Sequence, residues 1–156
     1  MIAVLCILIY ILNQAKFTDI IAWQLANQLK LNVDQILNRP EVRRQFKFHD
    51  QLSDAVRSGP RNIAEGHLRG FKHKDFARFL RIAKGSEGEV LNHLMDAHDQ
   101  QLITDEELEL NARLAKRAIK AATNLIRYLE STPDPPTAPT APTAPKAPKA
   151  PKAPKV

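Results

Sequence analysis

Ser58-Gly59-Pro60-Arg61-Asn62-Ile63-Ala64-Glu65-Gly66 is the stretch on which the reading of this chain turns. A helix interior rarely holds both residue types, because glycine costs about 1 kcal/mol there and proline about 3 kcal/mol. Yet the apolar spacing does not stop at them. Phe48, Leu52, Ala55, Gly59 and Ile63 step by three or four, so one helix face continues past Pro60. Pro60 removes a backbone donor and crowds the carbonyl four residues back, and a kink is expected there. Gly66 and Gly70, with Arg69 between them, mark the helix end. Beyond that turn a second block, Arg78-Phe79-Leu80-Arg81-Ile82-Ala83-Lys84-Gly85-Ser86-Glu87-Gly88-Glu89, takes up helical spacing again.

Outward from these blocks the same period recurs, and no alternating strand pattern or Asn-Gly or Asp-Gly hairpin signal interrupts it between Lys16 and Glu130. A first helix carries Ala22, Ala26, Leu29, Val33 and Ile36 in a stripe, with Trp23 and Leu25 beside it, and Asn38-Arg39-Pro40 ends it. The second runs from about Arg43 to Gly66. The third starts near Lys72 and shows Phe76, Leu80, Ala83, Glu87, Val90, Leu94 and His98 on one face. Thr104 is an N-cap for the fourth, Glu107 completes a capping box, and Asp105 and Glu106 suit the helix dipole.

The fourth helix has the strictest pattern. Leu108, Ala112, Ala115, Ile119, Ala122, Ile126 and Leu129 step by four and three in alternation, the heptad seam of shallow-angle packing. A second row, Leu114, Ala118, Ala121, Leu125 and Tyr128, lies next to it. Two rows mean either a wide core face or a face kept for another subunit. Short connections between long helices predict an all-α fold, an antiparallel up-down-up-down four-helix bundle over residues 16–131.

Two segments flank that body. Residues 1–15 form an apolar N-terminal extension whose run Met1–Leu12 is well short of the ~20 residues that span a bilayer as a helix. It has neither the basic start nor the cleavage site of a secretory signal. A start codon assigned too far upstream, or an added segment packed on the bundle, accounts for it better than a membrane anchor. Residues 132–156 hold nine of the eleven prolines in Thr-Ala-Pro and Lys-Ala-Pro repeats, a disordered tail sampling polyproline II. It reads as a solvated basic appendage, with a polyproline-binding partner as the alternative.

These blocks resemble a small bacterial family, the four-helix-bundle proteins encoded by intervening sequences within 23S ribosomal RNA genes. They are also similar to that family's relatives, the accessory variability determinants of diversity-generating retroelements. The resemblance runs from about Phe17 to Glu130. It implies a homo-oligomer, a closed pentameric ring, and association with ribosomal RNA or with a reverse transcriptase and its template RNA. The chain departs from the family pattern in places: Gly59 stands where a branched apolar residue is common, Arg61 where a small one is, and Gly88 is unusual in its block.

The formal net charge of +6 hides a segregation. Arg57, Arg61, Arg69, Lys72, Lys74, Arg78, Arg81 and Lys84 face only Glu65 and Asp75 between positions 57 and 84. From Glu87 to Glu109 there are eight acids and no Lys or Arg. The fourth helix turns positive again at Arg113, Lys116, Arg117, Lys120 and Arg127. Lys74, Arg78 and Arg81 share a helix face, and Arg69 and Lys72 sit at the adjoining turn near unpaired backbone donors. Such a cluster suits phosphate. With no groove-reading motif, contacts to RNA or DNA would go to the backbone and carry little sequence information. The alternative is that these charges are a solvated surface or serve packing between subunits, leaving a structural or protein-binding homo-oligomer. Asn62 and Glu65 read more simply as residues that bond backbone at the helix end than as a polar pair presented to a ligand.

Catalytic chemistry is not signalled. His93 and His98, with Glu89, Asp96 and Asp99 near, raise a metal question, but the Glu-x-x-His pairs of di-iron bundles are missing. No nucleophile elbow, Gly-rich phosphate loop or zinc signature is present. The expectation is a non-enzymatic protein without cofactor or metal. Cys6 stands alone, which excludes an intramolecular disulfide and fits a reducing cytoplasm.

Overall fold

The computed structural model describes residues 16–70 and 72–134; the apolar extension at 1–15 and the tail repeats from 135 onward lie outside the described residues. Within them the secondary structure is helical, with no strand. A 3-10 turn, Phe17–Asp19, leads into α1, Ile21–Leu37. Then come α2, Pro40–Arg43; α3, Phe46–Leu68; α4, His73–Asp99; and α5, Asp105–Ser131.

The sequence reading starts its second helix at about Arg43; the structure instead forms a separate short helix, Pro40–Arg43, and begins α3 at Phe46. Pro40 holds Arg39 extended (ψ 139°) and occupies the first helical position of a new turn, where its fixed φ is an advantage. Val42 anchors that turn by complete burial. Gln45 then leaves helical geometry (φ −91°, ψ 67°) before α3 begins. Through Pro60, which is buried, α3 continues as one element to Leu68. The α5 start matches the expectation: Thr104 Oγ1 accepts from the Glu107 amide at 3.3 Å, and Glu107 Oε2 accepts from the Thr104 amide at 3.0 Å.

In α5 the core stripe differs from the expected heptad seam. Buried positions are Asn111, Ala115, Ala118, Ala122, Ile126 and Leu129, while Leu108, Ala112 and Ile119 are only partly covered. Those buried positions follow the 3.6-residue period of a straight helix, which drifts away from a strict 3.5 repeat. The physical reason is that α5 packs against both α1 and α4, so its buried face is wider than a two-helix seam.

Packing proceeds around four long helices: α1 on α3, α3 on α4, α4 on α5, and α5 back on α1. Gly59 of α3 meets Glu87 of α4 and Gly66 meets Phe79. Between α4 and α5, Arg81 pairs with Glu130 and His98 with Asp105. Two core clusters result. One, built on Leu29, Val33, Ile36, Leu52, Val56, Val90 and Leu94, lies toward the α2 end. The other is rich in alanine (Ala22, Ala26, Ala77, Ala83, Ala118, Ala122) with Ile63, Leu80, Ile126 and Leu129. Small residues there let the helices approach closely. Between the clusters sits Glu87, 2% exposed, with neither carboxylate oxygen hydrogen-bonded. No helix among the described residues is long and apolar enough to cross a membrane.

Candidate nucleic-acid interface

Four of the basic residues singled out in the sequence, Arg69, Lys72, Lys74 and Arg78, gather where α3 ends and α4 begins. Gly66 is the hinge of this corner. A Cβ on it would lie 2.6 Å from Phe79 Cβ and 2.8 Å from Phe76 Cδ2, so only glycine lets α4 bring both rings this near. Phe79 is thereby 5% exposed and becomes a platform for cations. The Arg69 guanidinium carbon lies 5.1 Å from its ring centroid and that of Arg78 lies 4.7 Å away. Both charges are thus held by the ring quadrupole, an attraction of about 0.5–2 kcal/mol each. Lys72, the residue before α4, and Lys74 in its first turn are exposed beside them.

Not all eight bases join this group. Arg57 turns to α1 and pairs with Asp34 at 2.8 Å, bonding Ser53 as well. Arg81 turns to α5 and pairs with Glu130. Arg61 faces a shallow groove between α3 and α4, lined by Gln51, Asp54, Glu89 and His93. Lys84 is half-buried further along α4. Arg69 is itself paired with Glu65 at 2.6 Å. The set therefore divides into the corner (Arg69, Lys72, Lys74, Arg78), two cations turned to neighbouring helices, and two outliers.

Glu65 so serves Arg69 rather than backbone, and Asn62 donates to the Ser58 carbonyl at 2.8 Å, a backbone bond made inside α3 rather than at its end. His93 and His98 diverge: His93 lies 3.8 Å from Asp96 within α4, and His98 reaches Asp105. Among the described residues no group of three or more His, Cys, Asp or Glu is placed to hold a metal ion.

Several polar features went unread in the sequence. Arg39 forks onto Glu107 and also donates to the Leu102 carbonyl at 3.0 Å, tying the end of α1 to the start of α5. The guanidinium, with a backbone bond from Thr104, holds the Glu107 carboxyl below its ordinary range. Buried Asn111 donates to the Glu107 carbonyl at 2.8 Å. Ser86 and Ser58 share a hydrogen bond of 2.8 Å across α3 and α4. Burial pushes the Glu87 carboxyl up to about 8 from 4.5. The capping signal around Thr104 was the only hint of any of these.

These elements define an all-α protein with a cation–aromatic corner where α3 meets α4. The family that matches is the 23S rRNA-intervening sequence protein family, over residues 18–124, and this chain belongs to it. No curated protein matches the chain.

Proposed function

We propose that this chain is an antiparallel up-down-up-down four-helix bundle that works as a non-enzymatic, cytoplasmic homo-oligomer, a pentamer. Through its α3–α4 corner it binds nucleic acid or an enzyme that handles it, such as a reverse transcriptase. The bundle reading is supported by the residue pairs. Along α3 and α4, 59 meets 87 while 66 meets 79, and along α4 and α5, 81 meets 130 while 98 meets 105. One index rises as the other falls, as antiparallel neighbours require.

The observation that carries the functional reading is the seating of Arg69 and Arg78 on Phe79, next to exposed Lys72 and Lys74. Pre-ordered guanidiniums lose less freedom when they meet a phosphate, and their fork geometry matches two of its oxygens. Four such cations contacting a duplex give a slope of log affinity on log salt of about −3 to −4.

The test is binding of a DNA duplex and of a structured RNA to the full chain across a salt series, beside Arg69→Glu/Arg78→Glu. The expected result is a steep salt dependence that the variant flattens by about 2 in slope. Absence of binding at low salt would overturn the reading. A second reading, a purely structural or protein-binding homo-oligomer, is favoured by the apolar groove of Met95, Leu108 and Ala112 between α4 and α5. In that case neither nucleic acid binds at low salt, and charge reversal at the corner shifts assembly instead.

A further inference from the structure

Helix α4 starts without a local cap. Its N-cap position is Lys72, whose side chain has no acceptor, and no side-chain cap bond is made there. What satisfies the first amide comes from the other end of the described chain. Pro133 disfavours helical geometry at Thr132, which turns extended (φ −110°, ψ 131°) and sends the chain back toward α4. The His73 amide donates to Asp134 Oδ1 at 2.6 Å, and His73 Nδ1 meets the Thr132 carbonyl at 3.0 Å. Further along the helix Arg81 is paired with Glu130. His73, Lys74 and Arg81 on one side, and the segment Leu129–Asp134 on the other, line one cavity of about 630 Å³. So two carboxylates of the C-terminal segment lie against the cationic start of α4, and both are about half exposed (49% and 46%).

Resting on the reading that this corner takes polyanions, we propose that Glu130 and Asp134 are a built-in competitor: an autoinhibitory contact that a phosphate chain must displace to reach the α4 amides, Lys74 and Arg81. A carboxylate offers oxygens to the same donors that a phosphate would use, with less charge, and half-exposed pairs of this kind are weakly held. The contact therefore sets a threshold. Strong polyanions displace it, and weak or singly charged anions do not.

The experiment uses the full chain and two probes, inorganic tripolyphosphate and the structured RNA. Variants are Glu130→Gln/Asp134→Asn and, as a control of equal charge change at the far end, Asp99→Asn/Glu106→Gln. Asparagine keeps a capping oxygen, so the fold is retained, and thermal unfolding verifies this. The His73 amide resonance reports the contact directly. Addition of tripolyphosphate should shift it in the wild type, at a several-fold lower concentration in Glu130→Gln/Asp134→Asn, and without that gain in the control. RNA affinity should rise by a similar factor with a steeper salt slope. Equal affinities for the double variant and the control overturn the competitor, as does a His73 amide indifferent to tripolyphosphate. If tripolyphosphate moves the amide as described while RNA binds no variant, the competitor stands and the nucleic-acid reading falls. If RNA binds all forms alike, the reverse holds.

Discussion

Gly59 and Glu87 are fitted to each other across α3 and α4. A Cβ on Gly59 would sit 2.0 Å from Glu87 Oε1 and 3.0 Å from its Cδ, so the space of the missing side chain is filled by the carboxyl group. Both oxygens lack hydrogen-bond partners, and Ala26 of α1 closes the third side. Glycine at 59 leaves a space between the helices, and the acid of Glu87 stands in it. A carboxyl group in such surroundings is held neutral, because ionising it without a partner costs several kcal/mol.

That placement makes stability depend on pH in a defined direction. The folded state binds the Glu87 proton more tightly than the unfolded chain, with the carboxyl pushed to about 8 from 4.5. Stability is accordingly lost as pH rises from 4.5 to about 8 and is level beyond. The full span corresponds to about 5 kcal/mol. Glu87→Gln keeps the shape and cannot ionise. Denaturant unfolding at about pH 5 and about pH 9 should show the variant several kcal/mol more stable at the higher pH and near parity at the lower. Parallel losses in both proteins would mean that Glu87 finds a partner or water.

A substitution at Gly59 should change sign with the residue opposite. In the wild type, Gly59→Ala gains about 1 kcal/mol of helix propensity but drives a methyl into an enclosed carboxyl, an overpacking cost of about 1–3 kcal/mol. The net effect is a loss. With Glu87→Ala the obstacle is gone, and the same Gly59→Ala becomes stabilising by about 1 kcal/mol. A double-mutant cycle measures this coupling, and additivity of the two changes would refute the fit.

What the sequence made legible was local. Thr104 and Glu107 are three residues apart and announce their capping box, and Gly59 and Glu87 each fall on an apolar stripe that could be traced without knowing they meet. Ala115, Ala122, Ile126 and Leu129 of the α5 seam are buried as expected, but Asn111 and Ala118 replace Leu108, Ala112 and Ile119 in the core, because a heptad and a 3.6 period agree over two turns and diverge over seven. Only packing on two neighbours decides between them. The corner was legible as a charge cluster, but not the division within it. Arg57 to Asp34, Arg81 to Glu130 and His73 to Asp134 join residues 23, 49 and 61 apart, and no local signal encodes such pairs. Phe79 was read as part of a block, and its role as a platform depends on Gly66 of another helix.

The α1–α5 tie should respond to acid in the opposite sense from Glu87. Arg39 holds the Glu107 carboxyl down, so the contribution of this pair is present above the unfolded carboxyl range and lost as pH falls through the folded value. Thr104→Ala removes one cap bond and costs about 1 kcal/mol. Glu107→Ala removes the reciprocal cap bond and also leaves Arg39 with the Leu102 carbonyl alone, and should cost more. Thermal unfolding of the two variants at neutral and at acid pH checks this. The gap between Glu107→Ala and the wild type should narrow in acid, while the Thr104→Ala deficit persists in part because the Glu107 amide has lost its Thr104 Oγ1 acceptor.

Gly66 connects the fold to the corner, and its substitution separates the two contributions. Gly66→Ala places a methyl against Phe79 Cβ and the Phe76 ring, neither of which is the free end of a flexible side chain. Overpacking of about 1–3 kcal/mol then exceeds the ~1 kcal/mol gain in helix propensity. The relief open to the structure is to move α4 away from α3, which withdraws Phe79 from beneath Arg69, while Arg78 moves with its own helix. Chemical denaturation should report a destabilised but folded protein. Under conditions where it is fully folded, RNA affinity should fall by several-fold although no charge has been removed. Phe79→Leu, which keeps an apolar filler and abolishes the platform, should lower affinity in the same way at a smaller cost in stability. Unchanged affinity in Phe79→Leu would mean that the two guanidiniums need no ring to hold them in place.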